Sequence, residues 1–301
     1  MLRQIKVIPW LKAARIPSQS YIFLPLLLGE TISFNQGYPF SVLSFSLVHL
    51  FGVAIQLYIV FANDYADQNT DRRNVTFTPF SGGSRVLVDG DLKPVDLLKA
   101  SRLMAASSVV VGGILSVQSR SPLPLLLAVF AVILLWMYSY PPVKLSYRGG
   151  GELLQMIGVG IVLPLMGYSA LTGSITSFPW EVLLVVLPTQ LACAIGTAVP
   201  DEPSDRIDHK RTVPVLLGTT VARVVVAALH FVTVLQIAWI TSMSPSNAPY
   251  FISIAILALS VWGQLFFVKS KPGRIGVLGF TFLSVLSTLL SMAILSSYFW
   301  Q

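Results

Sequence analysis

Acidic residues are scarce in this chain of 301 residues, with 13 Asp and Glu against 20 Lys and Arg. Charged residues of both signs make up only 11% of it, where a soluble domain carries about 25%. Hydrophobic residues reach 54% and mean hydropathy is +0.74, which excludes an ordinary soluble domain. Cysteine is nearly absent: Cys193 stands alone, so no internal disulfide can form. No low-complexity segment divides the chain, and 1–301 reads as a single membrane domain.

The apolar residues occur in long runs. A bilayer core needs roughly 20 apolar residues per helix, and nine stretches approach that length: 18–36, 42–63, 97–118, 122–140, 152–172, 181–199, 219–241, 249–268 and 276–298. They are too long for barrel strands and do not alternate, so the expected fold is an all-α polytopic bundle of about nine transmembrane helices. The first 17 residues are basic and interrupted by Pro9 and Pro17, and are read as an interfacial segment rather than a cleaved signal. Residues 3–14 could lie as a short helix with Trp10 at headgroup depth.

Basic residues set the orientation. With the N-terminus inside, the inner segments hold most Lys and Arg, from Arg3, Lys6, Lys12 and Arg15 to Lys269, Lys271 and Arg274, whereas outer loops hold only Arg120. The net charge of +7 follows from this topology and from attraction to anionic lipid or phosphate, and does not argue for nucleic acid. Loops at 64–96, 141–151 and 200–218 then face the cytoplasm.

Two of those loops gather seven of the 13 acidic residues. One run is Asn63-Asp64-Tyr65-Ala66-Asp67-Gln68-Asn69-Thr70-Asp71; the other is Asp201-Glu202-Pro203-Ser204-Asp205-Arg206-Ile207-Asp208. At about 100° per helical residue, Asp64, Asp67 and Asp71 share a narrow arc, and Asp201, Asp205 and Asp208 share another. Carboxylates are hard oxygen ligands. Two facing sets beside Arg72-Arg73 and Lys210-Arg211 suit Mg²⁺ held together with a diphosphate. Neither run has the glycine turn of a calcium-binding EF-hand loop.

These motifs resemble those of the UbiA-type intramembrane prenyltransferases. NDYADQNTD is similar to that family's first acidic motif and DEPSDRIDHKRT to its second, and Tyr140-Pro141-Pro142-Val143-Lys144 matches its Y-x-x-x-K loop. Lys210-Arg211-Thr212 with Leu216-Leu217-Gly218, Ser81-Gly82-Gly83-Ser84-Arg85, and Tyr147-Arg148-Gly149-Gly150-Gly151-Glu152 look like the 1,4-dihydroxy-2-naphthoate branch of menaquinone synthesis. Val199-Pro200 before Asp201 departs from that branch.

The resemblance implies Mg²⁺-dependent transfer of a polyprenyl group from its diphosphate to an aromatic acid. It places Asn63, Asp64, Asp67, Asp71, Asp201 and Asp205 at the metal, with Asp67, Asp71, Asp205, Tyr140 and Lys144 catalytic. Asn63, Arg15, Arg72, Lys210 and Arg211 would hold diphosphate, and Arg85 and Arg148 the acceptor carboxylate. Other acceptors remain open: 4-hydroxybenzoate, homogentisate or a glycerol phosphate lipid. Beyond substrates and membrane lipid, no obligate protein partner is evident. From another class, a secondary transporter would place its carboxylates near the bilayer midplane, and here they cluster at one face. A CDP-alcohol phosphatidyltransferase would show D-G-x-x-A-R, which the chain lacks. Glu152 reads as a helix N-terminal acid or as an acceptor-side base. His49 and His230 read as packed groups, and His209 as a poor Mg²⁺ ligand.

Overall fold

A computed structural model describes residues 7–74, 77, 82–242, 248–269 and 274–300, the side chains of 248, 249 and 274 excepted. Ser81 and residues 3–6 therefore lie outside the described residues. Every regular element among those described is helical.

The elements that follow the predicted spans are α2 (Ser20–Asn35), α3 (Val42–Ala66), α5 (Pro94–Ser119), α6 (Leu123–Ser139), α8 with α9 (Gly151–Ile157 and Leu163–Thr172), α10 (Leu183–Ala198), α13 (Thr219–Ser242), α14 (Ala248–Val268) and α15 (Arg274–Phe299). Between them lie short helices: α1 (Val7–Ala14), α4 (Gln68–Arg73), α7 (Leu145–Arg148), α11 (Glu202–Ile207) and α12 (Val213–Leu217). By length and composition, seven of the described helices are long and apolar enough to cross a bilayer, so the expected count of nine is not confirmed. Two of the nine expected spans are slightly shorter than that. Helix α6 has 17 residues; α2 has 16 and carries Pro25 and the buried Glu30, whose carboxylate meets His49 Nε2 at 3.0 Å.

Helix α2 runs through the middle of the bundle, packed against α3, α9 and α15. Its crossing with α9 is a backbone contact, because a Cβ on Gly29 would collide with the Pro164 carbonyl and one on Gly167 with the Leu26 carbonyl. Small residues that let backbones meet are a usual device of membrane helices. Just before that crossing, Pro164 has no N–H to close the turn onto Gly160. The chain widens there into a π turn at Gly158–Val162, and the Leu163 N–H reaches back to the Gly158 carbonyl.

Helices α10, α13, α14 and α15 form the other flank. Polar side chains fill part of its core, and His230 among them contacts Gln264 Oε1 at 3.3 Å and Thr288 Oγ1 at 3.1 Å. A packed, hydrogen-bonded histidine is what the sequence suggested there. Helix α1 turns Val7, Ile8 and Leu11 outward and lays Trp10 edge-on against Phe61, 5.7 Å between centroids. The bundle thus leaves one end capped by α1, α4, α11 and the loops between, and the acidic residues are there.

Candidate active site

The first acidic run does not continue α3 as an unbroken helix. Asp67 breaks it with φ −99° and ψ 9°, yet Asp67 N–H bonds the Asn63 carbonyl and Asp71 N–H bonds the Asp67 carbonyl, both at 2.8 Å. The helical hydrogen bonds survive the kink, so Asp67 and Asp71 stay on one side, as their spacing predicts. The second run begins where α10 tightens at Val199–Asp201 and continues as α11.

Both runs line one cavity of about 690 Å³. Asp67, Asp71, Asp201, Asp205 and Glu152 are its carboxylates; Lys12, Arg15 and Lys210 are its cations. Lys210 joins the two runs, with its ammonium 3.0 Å from Asp67 Oδ2 and 3.5 Å from Asp205 Oδ1. Burial works against that charge, but the two carboxylates outweigh it and hold Lys210 well above its ordinary pKa. Asp71 shows the opposite imbalance: burial, then the charges of Asp67 and Asp64, push its carboxyl up to about 7. Five acids facing three cations leave the cavity short of positive charge.

The donors are hard oxygens, the ligand type that Mg²⁺ takes. Among the described residues no three acidic, His or Cys side chains converge on one ready-made metal position. The chain's own cations and donors occupy the carboxylates instead: Lys210 spans two of them, and Asp201 accepts from Asn74 Nδ2 at 2.8 Å and Gly82 N–H at 3.1 Å. A metal ion would enter by displacing such partners. Asn63 lines the cavity beside them and offers a neutral oxygen.

Several expected site residues stand elsewhere. Asp64 pairs with Arg15 and takes the Ser84 hydroxyl, so it orients Arg15 rather than lining the cavity. Tyr140 donates to the Ala62 carbonyl at 3.3 Å and does not line it; Tyr138, two residues earlier, does. Lys144 lies over the Tyr147 ring, 3.5 Å from its centroid, outside the cavity lining. Arg72, Arg148 and Arg211 are exposed and outside that lining as well. Arg85 turns back to the Asp71 and Asn74 carbonyls at 3.0 and 3.2 Å and covers Phe77. Arg85 therefore holds the loop in place; Gly83, at φ +73°, lets that loop lie on Asp71 where any Cβ would strike the carboxylate. Asp89 and Asp91 bind Lys12 at 2.6 and 3.2 Å, tying α1 to the same loop.

Tyr147 is the residue that sequence reading passed over. Its hydroxyl donates to Asp67 Oδ1 at 2.9 Å and lies 2.8 Å from Thr70 Oγ1, and its backbone carbonyl accepts Arg211 N–H at 3.2 Å. Lys210 also lies 4.9 Å from its ring centroid. Burial pushes its phenol up to about 12, so it stays a donor. One side chain thus holds the two acidic segments and the Tyr140–Lys144 loop in register.

A second, apolar cavity of about 240 Å³ adjoins the first. The two share Arg15, Ser18, Tyr21, Asn63, Tyr138 and Gln155, and the second continues between Ile22, Ile55, Ile59, Leu134 and Leu135. A charged chamber therefore meets an apolar slot at Asn63 and Tyr138, an arrangement suited to an amphiphile with an anionic head.

Known proteins are similar to this chain in sequence and architecture. The chain is 24% identical over 261 residues to the 2-carboxy-1,4-naphthoquinone phytyltransferase of Synechocystis sp., covering 81% of this chain and 80% of that one. It is 24% identical over 201 residues to the chloroplastic chlorophyll synthase of Arabidopsis thaliana, covering 66% and 49%. Among solved structures it resembles the UbiA homologue of Archaeoglobus fulgidus bound to DMAPP and Mg²⁺, with a TM-score of 0.66 at 18% identity over 95% of this chain and 99% of that one. The apo UbiA homologue of Aeropyrum pernix K1 gives 0.67 at 19%, over 92% and 95%. The model of the UbiA prenyltransferase family matches residues 22–286, most of the chain, and the protein is a member of that family.

Proposed function

We propose that the protein transfers a prenyl group from a polyprenyl diphosphate to an aromatic acceptor, with 1,4-dihydroxy-2-naphthoate as the preferred one and CO₂ and pyrophosphate released. The observation that carries this reading is the chamber in which Lys210 bridges Asp67 and Asp205, opening at Asn63 and Tyr138 onto an apolar slot. The naphthoquinone in the name of the Synechocystis relative supports the choice of acceptor, as do the sequence motifs of the naphthoate branch.

Asn63, Asp67, Asp71, Asp201 and Asp205 would hold Mg²⁺, and the Archaeoglobus homologue of the same fold binds Mg²⁺ together with DMAPP, which supports this reading. Bound there, Mg²⁺ would neutralise the diphosphate and make it a better leaving group. Lys210, Arg15 and Lys12 donate to diphosphate oxygens, and Lys210 can do so by turning from its two carboxylates. The prenyl tail lies in the apolar slot. Tyr138, at the junction, presents its ring to the allylic carbon as positive charge develops there. The apolar walls keep water from that carbon. The excess of Lys and Arg in these loops supports a chamber on the cytoplasmic side.

Purified protein in lipid, given labelled prenyl diphosphates and a panel of aromatic acids, tests the reading by product mass. Prenylated naphthoate forms, and stripping Mg²⁺ with excess chelator lowers the rate by about a thousandfold or more, restored on adding Mg²⁺ back. Prenylated 4-hydroxybenzoate without prenylated naphthoate overturns the acceptor assignment. Undiminished turnover in chelator overturns the metal assignment.

A further inference from the structure

The lining of the charged chamber includes an acid that the proposed diphosphate site leaves unused. Glu152 and Gln155 lie three residues apart on α8, and both line the chamber with Tyr138, Ser146 and Thr212. Glu152 is only 6% exposed. Its Oε1 accepts the Val213 N–H at 2.7 Å, capping α12 and closing the stretch that begins at Lys210. Its Oε2 has no partner among the described residues and is not sealed away from the chamber.

A carboxylate with a free oxygen repels a diphosphate and seeks a hydrogen-bond donor. Gln155 beside it can donate or accept, and Tyr138 offers a flat ring face. Together they suit a planar ring bearing a hydroxyl. Arg85 and Arg148, the residues that sequence reading gave to the acceptor, do not line this chamber.

We propose that Glu152, Gln155 and Tyr138 form the subsite for the aromatic acceptor, with Glu152 as the base that takes its ring hydroxyl proton. This assignment rests on the prenyl-transfer reading above. The proton passes to Glu152 Oε2 and the O–H electron pair moves into the ring. The activated ring carbon then forms the new C–C bond to the prenyl C1. The C1–O bond breaks, and its electron pair leaves on pyrophosphate. Loss of CO₂ from that ring carbon, or of its proton to the departing pyrophosphate, returns the C–C or C–H electron pair to the ring and restores aromaticity, and the ring oxygen recovers its proton from Glu152.

Glu152→Gln tests this in the full-length protein, because its amide oxygen can still cap Val213 while the base is gone. Three quantities are measured: the Kd for prenyl diphosphate with Mg²⁺, kcat for 1,4-dihydroxy-2-naphthoate, 4-hydroxybenzoate and homogentisate, and the pH profile. The variant binds prenyl diphosphate within about threefold of wild type, and kcat falls by about a hundredfold or more, the usual contribution of a general base. Raising the pH recovers part of that loss, since the acceptor hydroxyl then ionises unaided; Glu152→Asp retains more activity than Glu152→Gln. Wild-type kcat in Glu152→Gln overturns the proposal, and so does parallel loss of prenyl diphosphate binding, which marks a structural role. Wild-type protein that binds prenyl diphosphate yet prenylates none of the three acceptors overturns the underlying transfer reading instead.

Discussion

Asp67→Asn and Asp205→Asn each reduce turnover to about a thousandth of wild type or less, equivalent to at least about 4 kcal/mol of transition-state stabilisation. Each removes one negative charge from opposite walls of the chamber, so divalent metal affinity falls from either side. The two variants resemble each other because the same ammonium lies against both carboxylates, at 3.0 and 3.5 Å. With one charge lost, Lys210 binds the remaining carboxylate more tightly and gives it up less readily to metal. The fold survives, since the amide still accepts from Tyr147 or Lys210, and Lys210 keeps one ionic partner. Turnover assays at saturating Mg²⁺, with gel filtration to confirm folded protein, check this. Near wild-type turnover in either variant would show that its carboxylate is dispensable.

A second large effect lies far from the chemistry. Gly29→Leu or Gly167→Leu prevents accumulation of folded protein, because each Cβ would meet backbone rather than a movable side chain. Overpacking an ordinary core costs about 1–3 kcal/mol. Here two helices must separate along their whole crossing, so the cost exceeds that range. Gly113→Leu is the control: a Cβ at Gly113 meets nothing within 4 Å, so folded yield is unchanged. Yield and thermal aggregation in detergent distinguish them, and a well-folded Gly167→Leu protein would refute the close crossing.

The apolar runs announced the helices, because a bilayer leaves few ways to satisfy a backbone. They leave the count open: α2 reads as a span by hydropathy, and at 16 residues it encloses Glu30, paired with His49. The acidic runs were legible for the same reason that they are conspicuous, since carboxylates are costly in so apolar a chain. Their spacing correctly put Asp67 with Asp71 and Asp201 with Asp205. Spacing could not reveal which carboxylate is already satisfied. Asp64 shares the arc of Asp67 and Asp71 but is taken by Arg15 and Ser84, which arrive from distant segments. Tyr147 is marked in the sequence only as the start of its Gly-rich motif; its role depends on three loops meeting, which no local pattern shows. The wall that α15 gives the chamber, through Phe282, Val285, Leu286 and Leu289, looks in sequence like any other apolar helix.

The most direct test is a structure of the protein with Mg²⁺ and a prenyl diphosphate analogue whose bridging oxygen is replaced by sulfur. Diphosphate and metal are expected between Asp67 and Asp205, with Lys210 moved from those carboxylates to phosphate oxygens and the tail running past Asn63 and Tyr138 between Ile22, Ile55 and Leu135. A diphosphate bound outside this chamber, with Lys210 still spanning the two carboxylates, would contradict that placement.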